Sequence, residues 1–323
     1  MPDTDALIFA MILDGRGGGR AVGWDDIASW TPQAGPLWLH LDRSHEQTRR
    51  WLEQRSGLDE LVVDSLLAED TRPRFTVHEA GAVVILRGVN LNPGTTPDDM
   101  TSLRMWVDAG RLISMRMPKV AAVGDVRHLL ETAHGPTTSA STLVELATAL
   151  TDRVEPVLDN LDEVLGGFES QTDRFDRVPA GLLTSLRRQA ITLHRYLRPQ
   201  RDALAQLSDG FFAAFTDLDR RRCDEAANRV TRFVEDLDAL RDRATVVYED
   251  TLTRQSERMN RTTYLLTLIA TIFLPLGFIT GLLGINVGGI PLAESGWGFV
   301  IVCVALGLIA VGEYLLFRWM RLL

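Results

Sequence analysis

The sequence predicts an α+β cytosolic domain that leads through a long helical stalk to two C-terminal transmembrane helices. Three observations predict it. Residues 263–317 hold almost no charge, whereas residues 1–262 are rich in it. Short apolar runs bounded by turn residues fill roughly the first 120 positions. Helical periodicity starts near Asp217 and meets no break signal before the apolar region. The expected divisions are a cytosolic α/β domain over 1–135, a helical region with the stalk over 136–262, and a transmembrane hairpin over 263–323.

In the first division, LIFAMIL (7–13) and PLWLHL (36–41) read as strands, and SHEQTRRWLEQR (44–55) reads as a helix. TVHEAGAVVILRGV (76–89) reads as a hairpin turning at Ala80-Gly81, and SLRMWV with RLISMRM (102–107, 111–117) as another turning at Ala109-Gly110. From Ser141 the signal is helical through STLVELATALTDRVEPVLDNLDEVLGGF, and a second helix covers about Pro179–Leu207. In the third helical stretch, Val230, Phe233, Leu237, Leu240, Ala244 and Val247 recur in three- and four-residue steps, a packing seam of the coiled-coil kind. Continued through the first apolar run, this helix is roughly 65 residues and on the order of 100 Å long.

The run from Tyr264 to Leu283 has 20 residues without a charge. As a helix it spans ~30 Å, the hydrocarbon thickness of a bilayer. Pro275 inside it is tolerated in a membrane helix. The second run, Trp297 to Phe317, carries only Glu313. Arg254, Arg258 and Arg261 precede the first span, Arg318 and Arg321 follow the second, and residues 284–296 have no Lys or Arg. The positive-inside rule then places both termini in the cytoplasm of an inner (plasma) membrane. The N-terminal MPDTDALIFA lacks the basic region of a signal peptide, in keeping with this.

The net charge of −9 argues against a nucleic-acid partner and fits an affinity for cations. Cys223 and Cys303 lie in different regions and give neither a disulfide framework nor a C-x-x-C site. GRGGGR (15–20) lacks the lysine of a P-loop and reads as a loop. His45-Glu46 begins like a zincin motif but has Arg49 where the second histidine belongs. His40 and His45 read as a surface pair on different elements. No enzyme active site and no cofactor site emerges.

Along the first span, steps of three and four pick out Asn260, Thr263, Thr267, Ala270, Leu274, Gly277 and Gly281, all small or polar except Leu274. Such a stripe serves either a tight helix–helix contact or a pore wall. Continued into the stalk it passes through Glu235, Asp242 and Glu249, either as a solvated outer face or, with several copies around an axis, as the lining of an acidic tube. Beyond the span, Gly284-Ile285-Asn286 ends the apolar run, and Gly288, Gly289 and Pro291 turn the chain. An amide oxygen at Asn286 can hold the waters of a hydrated divalent cation without the grip of a carboxylate.

Gly284-Ile285-Asn286 at this place resembles the G-x-N signature of the CorA superfamily of divalent-cation transporters, and the continuation VGGIP looks like its ZntB zinc-transporter branch. LLAEDTRPRF (66–75) and RGVNLNPGTTPDDM (87–100) are similar to the same branch, so the resemblance covers essentially the whole chain. It implies a funnel-shaped homopentamer in the lipid bilayer, with the stalk helix lining a central pore, Asn286 at the outer selectivity position and Asn260 near the cytosolic mouth. It also implies Zn²⁺ as the transported ion, with proton-coupled uptake. Leu292 follows the loop proline where magnesium-branch relatives often carry an acid, so Glu294 is expected to attract cations without setting selectivity. The alternatives are a Mg²⁺ or broad-specificity channel of the same fold and, from another class, a membrane-anchored oligomeric sensor.

Overall fold

A computed structural model describes residues 6–69, 71–171, 180–209, 215–285 and 295–319. The chain divides into two compact units, Met1–Tyr248 and Glu249–Leu323.

The first unit is built on a seven-stranded sheet: β1 (Leu7–Leu13), β2 (Gly19–Val22), β3 (Leu37–Asp42), β4 (Arg74–His78), β5 (Gly81–Gly88), β6 (Thr101–Val107) and β7 (Arg111–Arg116). The strand order is β2-β1-β3-β7-β6-β5-β4. Every pairing is antiparallel except β3 with β7, where Leu37 sits beside Arg111. Residues of a strand point alternately to its two faces, and here both faces are covered. Met11, Leu13, Val84 and Leu86 enter one core, whereas Ala10, Ile12, Val83 and Ile85 enter the other. That double burial explains why β5 reads as a continuous apolar run.

The second of these cores is closed by α1 (Trp24–Ser29), α2 (Glu46–Gln54) and α3 (Glu60–Leu67), through residues such as Leu52, Val63 and Leu66. The first is closed by α4 (Ala121–Glu131), α5 (Ser139–Asp152), α6 (Glu155–Gln171), α7 (Ala180–Ser208) and the first part of α8 (Asp217–Leu283). All six residues of the expected seam, Val230 to Val247, are buried there, so the seam packs within the subunit's own core.

Both expected hairpins form, with β4–β5 in register at His78↔Gly81 and β6–β7 at Val107↔Leu112. Two expectations need correction. GRGGGR is not all loop, because Gly19 and Arg20 open β2 and pair with Leu13 and Ile12. The short edge strand GRAV has too little apolar content to announce itself. His40 is not at the surface: it is 1% exposed in the middle of β3. The helical stretch after Ser141 forms two helices, and Pro156 supplies the reason. A proline deep in one continuous helix would lose its backbone bond, but it fits the first turn of α6.

The two segments that look like ZntB sequence meet around α3. Arg87 donates to the carbonyls of Thr71 (2.9 Å) and Met100 (3.0 Å). Arg104 donates to those of Leu66 (2.8 Å), Glu69 (3.1 Å) and Ala68. Arg104 thus caps the carbonyl end of α3, where the helix dipole favours a cation, while Arg87 ties the segment after α3 to Met100.

His40 is held by a network that fixes its tautomer. Ser114 Oγ donates to Leu39 O (3.1 Å) and accepts from Trp38 Nε1 (2.9 Å), so His40 Nδ1 carries the proton toward Ser114 Oγ (2.8 Å). Nε2 then accepts from Arg116 Nε at 3.2 Å. Burial first, and Arg116 second, push the His40 pKa down to about 3. An unfolded histidine titrates near 6.5, so below that pH the unfolded chain takes up the proton and the folded chain does not. The stability is therefore complete above pH 6.5 and falls as pH drops toward 3, by about 2 kcal/mol at pH 5. Denaturant titrations of the protein and of His40→Gln at pH 7 and pH 5 check this. The expected result is a smaller acid loss in His40→Gln, and an equal loss in both would assign the acid sensitivity elsewhere.

Candidate ion pathway

The second unit contains the end of α8 and α9 (Gly298–Trp319). These two helices are long and apolar enough to cross a membrane. In α8 partial cover falls on Leu268, Ile272, Pro275, Leu276, Ile279 and Leu283. The positions Asn260, Thr263, Thr267, Ala270, Leu274, Gly277 and Gly281 are all exposed. At 3.6 residues per turn the two sets lie roughly 150° apart, on opposite faces of the helix. The small-residue stripe is thus turned away from the covered face of its own helix. Leu265 and Ile269 are exposed too, but they lie on the covered side.

The stripe has little bulk and a defined polarity. A side chain built at Gly277 or Gly281 would meet nothing within 4 Å, so neither glycine is required by contacts of its own subunit. The Thr267 hydroxyl donates to Thr263 O at 2.9 Å. Its proton is thereby committed, and the oxygen lone pairs remain for a cation or its water. At the end of α8, Gly284 N donates to Thr280 O (3.0 Å) and Gly281 O (3.2 Å). A Cβ at Gly284 would come within 3.2 Å of Thr280 O, tighter than a side chain comfortably packs. Ile285 is exposed just after it. Asn286 and Glu294, with the loop from 286 to 294, lie outside the described residues.

In the first unit, the stalk part of α8 separates its charges. Arg222 pairs with Glu145 (3.0 Å), Arg229 with Glu155 (3.0 Å) and Asp152, and Arg243 with Asp162 (2.5 Å) and Glu169 (2.7 Å). Steps of seven and fourteen keep these arginines on nearly one face, against α5 and α6. Hydrogen bonds to Glu169 and then Asp162 hold the Arg243 guanidinium well above its usual value. Glu235 and Asp242 are exposed, as is Glu249, the first residue of the second unit. Asp242 lies 3.1 Å from Arg241, so part of its charge is offset. Among the described residues, no group of three or more His, Cys, Asp or Glu side chains is placed to hold a metal ion. Sequence periodicity foresaw the exposed carboxylates, but it missed the arginine ladder, whose partners lie 74 to 81 positions away.

The chain thus joins a large α/β unit to two helices long and apolar enough to cross a membrane, the first bearing a face of small and oxygen-bearing residues. Comparisons with known proteins make this specific. The family described as CorA-like Mg²⁺ transporter protein matches residues 33–319. The divalent cation transporter CmaX of Pseudomonas aeruginosa is 43% identical, with 99% of this chain and 97% of that protein covered. The zinc transport protein ZntB of Pectobacterium carotovorum is 37% identical over 94% of this chain and 92% of its own. Among solved structures, full-length CmaX superposes with a TM-score of 0.86 at 42% identity, covering 98% of each chain. The CorA magnesium transporter of Methanocaldococcus jannaschii has the same fold, with a TM-score of 0.79 at 21% identity over 96% of this chain and 98% of that one. The chain belongs to the CorA-like family of divalent-cation transporters, a family of transporters and not of enzymes.

Proposed function

We propose that the chain carries Zn²⁺ across the inner membrane through the central pore of a homopentamer, with both termini in the cytoplasm. In this arrangement residues 1–135 form the cytosolic domain, 136–262 the helical region that carries the stalk, and 263–323 the transmembrane hairpin. The observation that carries the reading is the opposed pair of faces on the first span. A face of Asn260, Thr263, Thr267, Ala270, Leu274, Gly277 and Gly281, turned away from the covered side, suits an ion path between copies. Hydrated divalent cations need room and weak oxygen ligands, and this face offers both. Gly284 and Ile285 lead to Asn286, whose amide forms the outer entrance, with Glu294 attracting cations nearby. The cation is cargo, and no resident cofactor is required.

The choice of Zn²⁺ rests on the zinc transport relatives and on the VGGIP continuation of the loop. A second reading, a channel of broad divalent specificity, is favoured by the CmaX relative, which is described only as a divalent cation transporter. Metal uptake into proteoliposomes holding the purified protein separates them. Zn²⁺ uptake that exceeds Mg²⁺ uptake and rises with an inward proton gradient supports the first reading. Equal uptake of both ions, indifferent to the gradient, supports the second. No uptake of either leaves the membrane-anchored sensor.

Rings of Glu235, Asp242 and Glu249 would concentrate cations below the pore. At the ~8 Å Debye length of physiological salt, exposed charges across a wide tube are mostly screened, so the effect is a modest local enrichment. Neutralising all three (Glu235→Gln, Asp242→Asn, Glu249→Gln) is expected to lower uptake at low ionic strength and to matter little at high salt. Asp236, Asp250 and Glu257 sit about 100° around the helix from stripe positions and form the control set. Their neutralisation (Asp236→Asn, Asp250→Asn, Glu257→Gln) removes as many charges and should do little. Equal uptake by the two triple variants at every salt concentration would remove the acidic rings from the account.

A further inference from the structure

The transport reading gives no role to a large cleft of the first unit. It has a volume of about 1180 Å³ and lies between α1, α2 and the β6–β7 turn. Three indoles line it, those of Trp24, Trp30 and Trp51. The Trp24 and Trp51 rings lie 5.8 Å apart and tilted by 51°. Trp30 spends its N–H on Gly35 O (3.0 Å), and the outer edge of its ring lies so close to Gly110 that a Cβ there would come within 3.2 Å of it. Trp24 Nε1, in contrast, is buried and has no hydrogen-bond partner among the described residues. A sheltered indole N–H left unmatched costs free energy that a bound acceptor would recover.

The charges around the cleft are unequal. Arg111 and Asp108 neutralise each other at 2.9 Å, and Arg111 also donates to Ser56 O. The carboxylate of Asp108 is further used by Trp106 Nε1 and by the amide of Gly110. That leaves Asp25 against two exposed arginines, Arg50 and Arg55. Arg50 has only a long 3.9 Å contact to Glu46, worth little at the surface. Arg55 forms no ion pair among the described residues. The free charge at the mouth is therefore positive, which disfavours a quaternary ammonium ligand despite the aromatic walls. A planar ring for the indoles and an attached polyanion for the guanidinium groups together describe one ligand class.

We propose that this cleft binds a nucleotide, with the base stacked against Trp24 and Trp51 and the phosphates held by Arg50 and Arg55. Trp24 Nε1 donates to an acceptor on the base or ribose. The volume accommodates a ligand of that size. The site is independent of the ion pathway and would give the soluble unit a small-molecule input of its own.

The test is calorimetric titration of the full-length protein in detergent with ATP, in EDTA so that no metal takes part. Adenosine and inorganic pyrophosphate are titrated separately, and choline serves as the cationic control. Saturable ATP binding at one equivalent per chain is expected. Adenosine and pyrophosphate should each bind at least ~10-fold more weakly, because each keeps only part of the contacts. The double variant Arg50→Gln/Arg55→Gln changes only exposed side chains. It should weaken ATP by ~10-fold or more while leaving the thermal unfolding midpoint in place. The proposal is overturned by the absence of saturable ATP binding up to about 10 mM, by unchanged affinity in the double variant, by pyrophosphate binding as tightly as ATP, or by choline binding best.

Discussion

Asn286→Ala is expected to cut divalent-cation uptake by on the order of tenfold or more while leaving assembly intact. The expectation follows from its place beyond the Gly284 turn that ends the oxygen-bearing face of α8. An alanine there removes the neutral acceptor that would hold the first hydration shell of the arriving ion. It adds no bulk and no charge, so a folding defect is not part of the expected outcome. Size-exclusion chromatography checks assembly, and metal uptake into proteoliposomes reads the effect. Wild-type uptake by a correctly assembled Asn286→Ala protein would show that the amide is not the entrance.

The second large effect is expected from Gly277→Leu. Within its own subunit this glycine faces open space, so a leucine there clashes with nothing in the chain. In a narrow pore lined by several copies, it would stack a second ring of leucines one turn beyond that of Leu274, lengthening the apolar constriction until the path dewets, and uptake should fall by at least ~10-fold. The same change at Gly307 in α9, which also meets nothing within 4 Å, is the matched control and should retain most of the activity. The experiment also separates the two meanings of a small-residue stripe. If it serves tight packing between helices, Gly277→Leu breaks the oligomer; if it lines the path, the oligomer persists and uptake is lost.

The fold was legible where periodicity and burial coincide. The apolar runs of β1, β3 and β5 and the steps from Val230 to Val247 announced elements that the structure contains, because each buries a full face. The 67 residues of α8 were legible because nothing in Asp217–Leu283 stops a helix apart from Pro275, which the helix accommodates. What stayed hidden has physical reasons. β2 is a short, largely polar edge strand, α1 spans only six residues and buries none, and His40 owes its burial to partners 74 and 76 positions away. The candidate pathway was readable as a pattern of small residues. The face of α8 opposite to that pattern, with its partial cover from Leu268 to Leu283, could only come from the structure.

Cysteine accessibility tests the central claim most directly. Cys223 is a poor reporter in itself, since burial first and Asp219 next push its thiol up to about 12, and replacing it and Cys303 clears the background. Single cysteines at Asn260, Thr263 and Thr267 are then compared with cysteines at Leu265, Ile269 and Ile272, using a membrane-impermeant thiol reagent on the assembled protein in vesicles. The account predicts rapid modification of the first set, slowed by a divalent cation in the pathway, and little modification of the second. Equal modification of both sets would contradict it, and the stripe from Asn260 to Gly281 would then be no ion path.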